Sequence, residues 1–192
     1  MPYPSQIDRE QIVATATAMV EAGGTEALTL GKVAKALGVR TPSLYRYVAS
    51  RAALLQAINL CTLQQLFADF DNALARAPAD PAGQLAAVAS ALRCYAQRHP
   101  HRYVQAMTAE VGVTRPDEDI LVQMVLPLQA IMAEIAGEPS SLTALRGFLA
   151  LVHGFIMLEV HDQLQRGGDL SAAFDASIVA YLAGWRSQTA EA

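Results

Sequence analysis

The stretch from Thr29 to Arg51 constrains the fold more than any other part of the chain. It sets a glycine and a proline four residues apart, between two short segments whose apolar residues recur at helical spacing. Gly38 supplies the backbone freedom that a helix end needs, and Pro42 has the fixed φ that suits the first turn of a new helix. The stretch therefore predicts two helices joined by a tight turn, over Leu30–Leu37 and about Pro42–Val48.

The second predicted helix buries Leu44 and leaves hydrogen-bonding and cationic side chains on its outer surface. These side chains belong to Arg40, Thr41, Ser43, Tyr45, Arg46 and Tyr47. Such a helix can enter the major groove of DNA and contact base edges and phosphates. The alternative is an ordinary structural hairpin, but the outer face of such a hairpin is usually rich in both Glu and Lys. Here no acidic residue lies between Lys32 and Arg51.

The same stretch resembles the helix-turn-helix of the TetR family of bacterial transcriptional regulators. The residues that carry this resemblance are Gly38, Pro42, Leu44, Tyr45 and Tyr47, within a run that begins at Thr29 and ends at Arg51. The resemblance implies a DNA-binding head, with every proposed contact on or beside the hairpin.

Each candidate DNA contact has an expected role. Base readout is expected from Arg40, Thr41, Ser43 and Arg46, and apolar or phosphate contacts from Pro42 and Tyr45. Phosphate contacts are expected from Tyr47 and Arg51, with Thr29 and Lys32 near the DNA backbone. Some family members read a base with a long side chain at the position of Gly31, and that contact is missing here.

The charge distribution fits a chain that contacts DNA with one end only. The net charge is −4, but residues 1–58 carry +2 and the remainder carries −6. A mildly basic head on an acidic body directs polyphosphate to the head.

The composition favours an all-α fold of about nine helices. Hydrophobic residues make up 53% of the chain and aromatic residues only 6%, which favours packed helices over sheets. Apolar spacing and breaks at Gly and Pro predict helices near 9–22, 30–37, 42–48, 51–70, 81–98, 103–110, 116–136, 139–165 and 171–187. Asp8 or Ser5 is expected to cap the first helix, Thr29 the second and Ser50 the fourth. Residues 1–58 are thus predicted to form a DNA-binding domain with a three-helix head, and 59–192 a helical effector-binding and dimerisation domain.

The eighth predicted helix is apolar on two faces, so it has two partners to pack against. One face can meet the core of its own subunit and the other the same helix of a second subunit, with the last helix joining the contact. The expected interface residues are Gly147, Gly154, Leu158, Ile178, Tyr181 and Trp185. An isologous homodimer on a four-helix interface is predicted, which is also how TetR-like proteins pair. A single large monomeric core is the alternative.

The C-terminal half resembles one TetR subgroup that carries a Trp-His-Gly motif. The similar stretch is RGFLALVHGFIMLE, from Arg146 to Glu159, followed by GGDLSAAFDASI. Val152 stands where the tryptophan of the motif would be. This difference weakens the assignment to the subgroup but not the resemblance to the family.

In this family the body commonly holds a cavity for a small effector, so an effector pocket is implied by the resemblance. The candidate lining residues are Tyr95, Tyr103, Met107, Met124, Met132, Phe148, Val152, His153 and Phe155. Methionine and aromatic residues at helical spacing also fit a plain core.

The leading hypothesis is a repressor that binds a palindromic DNA operator as a dimer and is released by a small-molecule effector. Two other classes of function compete with it. One is a regulator that has no small ligand. The other is a helical metal-dependent enzyme, for which Cys94, His99 and His101 are the best metal ligands and Glu159 with Asp162 a second acidic pair. The two histidines flank a proline and no nucleophile motif accompanies the acids, so no catalytic residue, cofactor or metal is predicted.

The expected location is the cytoplasm, without contact to a membrane. The N-terminal sequence MPYPSQIDRE has no signal-peptide pattern, and no apolar run approaches the roughly 20 residues of a membrane span. Cys61 and Cys94 are interpreted as small apolar packing residues.

Overall fold

The computed structural model describes residues 7–190, with side chains through 187, as an all-α chain. Within this range there are nine α-helices and no strand, as the sequence predicts. The helices are α1 (Arg9–Gly23), α2 (Leu30–Ala36), α3 (Thr41–Leu44), α4 (Arg51–Leu74), α5 (Pro81–Arg98), α6 (Pro100–Met107), α7 (Glu118–Ala136), α8 (Ser141–Val160) and α9 (Leu170–Ala190). Short 3₁₀ turns occupy Thr25–Ala27 and Glu138–Ser140.

The described chain folds as two compact units. The first contains residues 7–65 and 99–117, and the second contains 66–98 and 118–190. The first unit thus extends beyond the predicted boundary at residue 58. It also includes residues 59–65 of α4, the whole of α6 and the loop that follows α6. Helix α4 contributes residues to both units.

The first unit has its own hydrophobic core around the predicted hairpin. Apolar residues of α1, α2, α3 and the start of α4 are buried together. They are Ile7, Ile12, Ala16, Val20, Leu28, Val33, Ala34, Leu44, Val48, Leu54, Leu55 and Ile58. Helix α1 contributes Ile12, Ala16 and Val20 to this core and α4 contributes Leu54, Leu55 and Ile58, so each helix buries one apolar face.

Three predicted helix caps are present. Asp8 Oδ1 accepts a hydrogen bond from the Gln11 backbone N–H at 2.7 Å, and Gln11 Oε1 accepts one from the Asp8 backbone N–H at 3.4 Å. The Thr29 hydroxyl accepts from Lys32 N–H at 3.2 Å, and the Ser50 hydroxyl accepts from Ala53 N–H at 3.0 Å. Each satisfies a backbone donor that a helix start leaves without an intrahelical partner. The alternative cap, Ser5, lies outside the described residues.

Several helix ends differ from the sequence prediction for local reasons. Helix α6 begins at Pro100 and not at residue 103, because proline at the first helical position has a suitable φ. Helix α8 ends at Val160 and not near residue 165. The next residues stop it: His161 Nδ1 lies 2.8 Å from the Met157 carbonyl, and Asp162 has a left-handed backbone with φ 52°.

The core of the second unit is built from one face each of α5, α7, α8 and α9. Its buried side chains include Leu85, Val88, Tyr95, Met132, Leu145, Phe148, Val152, Ile156, Phe174, Ile178 and Leu182. A polar cluster borders this core, where Arg93 of α5 binds Glu159 of α8 through Nε–Oε2 at 2.8 Å and Nη2–Oε1 at 2.6 Å. Arg93 also donates to the Ser171 hydroxyl at 3.1 Å and stacks 5.1 Å from the Phe174 ring centroid, so it connects three helices.

Two composition-based expectations are corrected by the structure. Cys61 and Cys94 are exposed and not packed inside. Two helical segments, Glu118–Ala136 and Glu138–Val160, are long and apolar enough to cross a membrane by length and composition. Core helices of water-soluble proteins meet the same criterion.

Candidate nucleic-acid interface

The hairpin that presents the candidate DNA contacts is fixed by local backbone geometry. Helix α2 ends at Ala36, and Gly38 follows with φ 68°, a left-handed conformation that residues with a Cβ rarely adopt. The Val39 N–H then bonds the Ala34 carbonyl at 3.0 Å, which turns the chain. Pro42 lies in the first turn of α3, and both Tyr47 N–H and Val48 N–H bond the Leu44 carbonyl. The second helix is therefore one regular turn followed by a tighter turn, shorter than the Pro42–Val48 helix predicted.

The outer surface of this hairpin is polar and accessible. Leu44 is fully buried in the head core, which fixes the direction in which α3 faces. Tyr45, 56% exposed, and Arg46 follow it on the outside, and Arg40 and Pro42 precede it there. Thr41 and Ser43 are half-buried, and Thr29 and Lys32 are exposed at the start of α2.

Tyr47 is less available than the sequence suggests. Its ring is half-buried against the head core, and the Arg46 guanidinium carbon lies 5.8 Å from the ring centroid. This cation–π geometry positions Arg46 beside Tyr47. The Tyr47 ring thus has a packing role in the head, in addition to the phosphate contact predicted for its hydroxyl.

Arg51 has a structural role that the sequence does not reveal. Its Nε donates to the Leu28 carbonyl at 2.9 Å, and its Nη2 donates to the Thr25 carbonyl at 2.5 Å. These bonds connect the first turn of α4 to the segment before α2. Lys32 Nζ donates to the Ala27 carbonyl at 3.1 Å in the same region. Both cations, predicted as DNA-backbone contacts, thus also tie the 3₁₀ turn to the hairpin.

The nine candidate effector residues do not share one environment. Five are buried in the core, namely Tyr95, Tyr103, Met132, Phe148 and Val152, and four are half-buried, namely Met107, Met124, His153 and Phe155. Tyr103 and Met107 belong to the first unit and the other seven to the second. Burial raises the pKa of the Tyr103 phenol and lowers the pKa of the His153 imidazole. Met124 borders an open groove on α7, next to Ile120.

The candidate dimer residues divide into two groups. Ile178 is only 2% exposed, inside its own unit, so it cannot contribute a subunit contact as predicted. Gly147 serves packing within the chain, since a Cβ there would overlap the Tyr181 hydroxyl, which donates to the Ala144 carbonyl at 2.7 Å. In contrast, a Cβ on Gly154 would meet nothing within 4 Å, and Leu158 is 41% exposed.

The residues of the enzyme alternative have other partners. His99 Nδ1 lies 3.3 Å from the Glu21 carboxylate, and His101 Nδ1 lies 2.9 Å from the Glu21 carbonyl. Cys94 belongs to the other unit. Glu159 pairs with Arg93 and not with Asp162, and this ion pair lowers the pKa of the Glu159 carboxyl. Among residues 7–190 no group of three His, Cys, Asp or Glu side chains could hold a metal ion.

Family comparisons match both parts of the chain. Residues 12–58 match the family described as bacterial regulatory proteins, tetR family. Residues 85–181, half of the chain, match the family described as tetracyclin repressor-like, C-terminal domain.

Sequence relatives are similar over nearly the whole chain. A helix-turn-helix transcriptional regulator of Mycobacterium tuberculosis is 28% identical over 192 residues, covering 97% of this chain and 85% of the relative. A regulator of the same type from Bacillus subtilis is 26% identical over 180 residues, covering 93% of this chain and 92% of the relative.

Solved structures share the fold. Apo ActR from Streptomyces coelicolor superposes with a TM-score of 0.74 at 16% identity, covering 100% of this chain and 99% of that one. A TetR variant from Acinetobacter baumannii in complex with minocycline gives a TM-score of 0.70 at 22% identity, covering 95% and 98%.

Proposed function

Because the chain belongs to the TetR family of bacterial transcriptional regulators, we propose that it is a repressor that binds a palindromic DNA operator as a homodimer and releases it when a small molecule binds. The observation that carries this proposal is the outward position of Arg40, Tyr45 and Arg46 on a hairpin held by the buried Leu44. Such a segment fits the major groove, where guanidinium groups pair with guanine edges.

The expected division of labour on DNA follows from the side chains. Arg40, Thr41, Ser43 and Arg46 read base edges, and Pro42 and Tyr45 make apolar or phosphate contacts. Thr29, Lys32, Tyr47 and Arg51 approach the sugar-phosphate backbone, the last three while also bracing the head.

The dimer is supported by apolar surface on α8 and α9 that no part of the described chain covers. Leu158 and Val179 are 41% and 63% exposed, and Gly154 leaves room for a second helix. Tyr181 and Trp185, which also lie on α9, are half-buried. A two-fold pair of these helices would present two hairpins to successive turns of one duplex, about 34 to 36 Å apart.

Effector release would act through α4. This helix contributes residues 51–65 to the first unit and 66–74 to the second, so a ligand that shifts its C-terminal part also acts on the head. A coupling free energy of about 1–3 kcal/mol between effector and DNA changes operator occupancy several-fold. In the second unit, the candidate pocket residues that keep partial access are Met124, His153 and Phe155. A protein of this kind would act in the cytoplasm.

Selection of bound duplexes from a random DNA library tests the proposal directly. We expect a palindromic consensus bound by a dimer, with affinity that falls steeply as salt increases. A chemical library is then screened for compounds that release the selected duplex. Enrichment of no sequence would refute the operator, and a palindrome that no compound releases would favour the regulator without a small ligand.

A further inference from the structure

A cleft of about 750 Å³ lies between α1, α4 and α6 inside the first unit, and none of its lining residues belongs to the hairpin. We propose that this cleft is a second small-molecule site, which binds an amphipathic monocarboxylate. Neither the operator contacts nor the candidate effector pocket uses its lining residues. The proposal therefore goes beyond the function proposed above and does not depend on it.

The middle of the cleft is apolar and lined by small side chains. Val13, Ala14 and Ala18 of α1 face Ala57 and Leu60 of α4 across it. Because three of the lining residues are alanines, their side chains leave the cleft wide. The part of α1 that lines the cleft, from Arg9 to Glu21, is roughly 18 Å long at 1.5 Å per residue. This shape fits an extended apolar chain or a small ring system, whose burial here removes apolar surface from water.

One end of the cleft brings a guanidinium, an imidazole and a carboxylate together. Arg102 is 8% exposed, with Nε 3.4 Å from the Thr62 hydroxyl and Nη2 3.1 Å from Gln65 Oε1. The imidazole of His99 lies beside it at the start of α6. The Glu21 carboxylate is 3.9 Å from Arg102 Nε and 3.3 Å from His99 Nδ1.

The geometry of this end favours a carboxylate over other head groups. A guanidinium forms paired hydrogen bonds with a carboxylate, whereas an ammonium head would meet the buried Arg102 guanidinium with like charge. Because the Arg102–Glu21 separation exceeds hydrogen-bond distance, an incoming carboxylate can approach Arg102 without breaking a hydrogen bond to Glu21. At the other end, Arg9 and Glu10 balance each other's charge.

Cysteine alkylation provides the test, because the chain supplies both a reporter and an internal control. Cys61 lines the cleft and is exposed, whereas Cys94 is exposed in the other unit. Purified full-length protein is treated with iodoacetamide, with and without octanoate, and each cysteine is quantified by mass spectrometry. We expect octanoate to slow alkylation of Cys61 several-fold and to leave Cys94 unchanged, with little effect from octan-1-ol or octylamine.

Filled-cleft variants separate binding in the cleft from other effects of octanoate. Ala18→Phe places a ring in the cleft, and Ala22→Phe places one on exposed α1 surface that does not line it. The octanoate effect on Cys61 should vanish in Ala18→Phe and persist in Ala22→Phe. Ala14→Phe is the second blocking variant if Ala18→Phe fails to fold. Equal protection of Cys61 and Cys94, equal protection by octan-1-ol, or protection that survives both blocking variants would overturn the proposal.

Discussion

At the scale of single residues, the arginines show that one side-chain type takes different roles in the same small head. Arg46 lies on the outer surface next to Tyr47, whereas Arg51 donates two hydrogen bonds to backbone carbonyls of its own chain. A residue of the first kind is available for base recognition. A residue of the second kind contributes to the stability of the fold before any DNA is present.

This difference predicts distinct effects of two alanine substitutions. Arg46→Ala should leave the melting temperature nearly unchanged and reduce discrimination between operator and mismatched duplex by about 1–3 kcal/mol. Arg51→Ala should lower the free energy of unfolding by about 1–3 kcal/mol and weaken binding to all sequences alike. Thermal unfolding and titration of both duplexes at fixed salt check the two outcomes. Identical profiles for the two variants would contradict the division of roles.

Glu159 gives a pH dependence whose sign follows from its partner. The Arg93 guanidinium holds the pKa of the Glu159 carboxyl below its ordinary value, so folding favours the charged form. This contribution is present above the carboxyl pKa of the unfolded chain and is lost as the pH falls through the lower folded-state pKa. Glu159→Gln should cost about 2 kcal/mol at pH 7.

The cost of Glu159→Gln should begin to shrink near pH 4, where the carboxyl of the unfolded chain takes up a proton, and should vanish below the lower folded-state pKa, where the native carboxyl is protonated too. Denaturant unfolding between pH 7 and pH 3 measures it. Glu134→Gln, at an exposed position of α7, is the matched control and should change stability little. A pH-independent cost would assign the effect of Glu159→Gln to packing and not to the ion pair.

At the scale of the helical elements, two glycines of the hairpin have opposite requirements. Gly31 lies inside α2 with nothing within 4 Å of an added Cβ. Gly38 ends the same helix with φ 68°, where a Cβ is strained even though the surrounding space is empty. Gly31→Ala should therefore raise the free energy of unfolding by about 0.5–1 kcal/mol, and Gly38→Ala should lower it by about 1–2 kcal/mol. Urea unfolding of both variants tests the pair, and stabilisation by Gly38→Ala would be inconsistent with the turn.

Two glycines of α8 separate packing within the chain from packing between subunits. Gly147→Ala should destabilise the second unit by about 1–3 kcal/mol, because its methyl group overlaps Tyr181 and displaces α9. Gly154→Ala meets no atom of its own chain within 4 Å and should change dimer affinity more than chain stability. Unfolding at several protein concentrations distinguishes the two effects. Concentration-independent destabilisation by Gly154→Ala would remove this residue from the proposed interface.

At the scale of the whole molecule, the proposed operator recognition depends on pairing two heads. Leu158→Glu places a charge on the exposed α8 surface, which should yield a 20.5 kDa monomer with weakened operator binding. Val111→Glu is the control, since Val111 is 73% exposed in the loop of the first unit. Light scattering after size exclusion gives the mass. An unchanged dimer with Leu158→Glu would require an interface elsewhere.

The sequence by itself determined the local elements of this protein. Residues within about four positions of one another encode the nine helices of the described chain, the caps at Asp8, Thr29 and Ser50, and the turn at Gly38. Hydrogen bonding and backbone preference act over that range, so spacing and residue type suffice to predict them. The sequence also predicted the family and the separation of a basic head from an acidic body.

Only the tertiary structure decided how distant residues meet. Arg51 bonds carbonyls 23 and 26 positions away, and Arg93 pairs with Glu159 across 66 positions. Gly147 accommodates Tyr181 of its own chain, although the sequence pattern equally fits a partner subunit. Such contacts depend on which helix faces pack together. An apolar stripe predicts that a helix face is buried, but it does not identify the helix that covers this face.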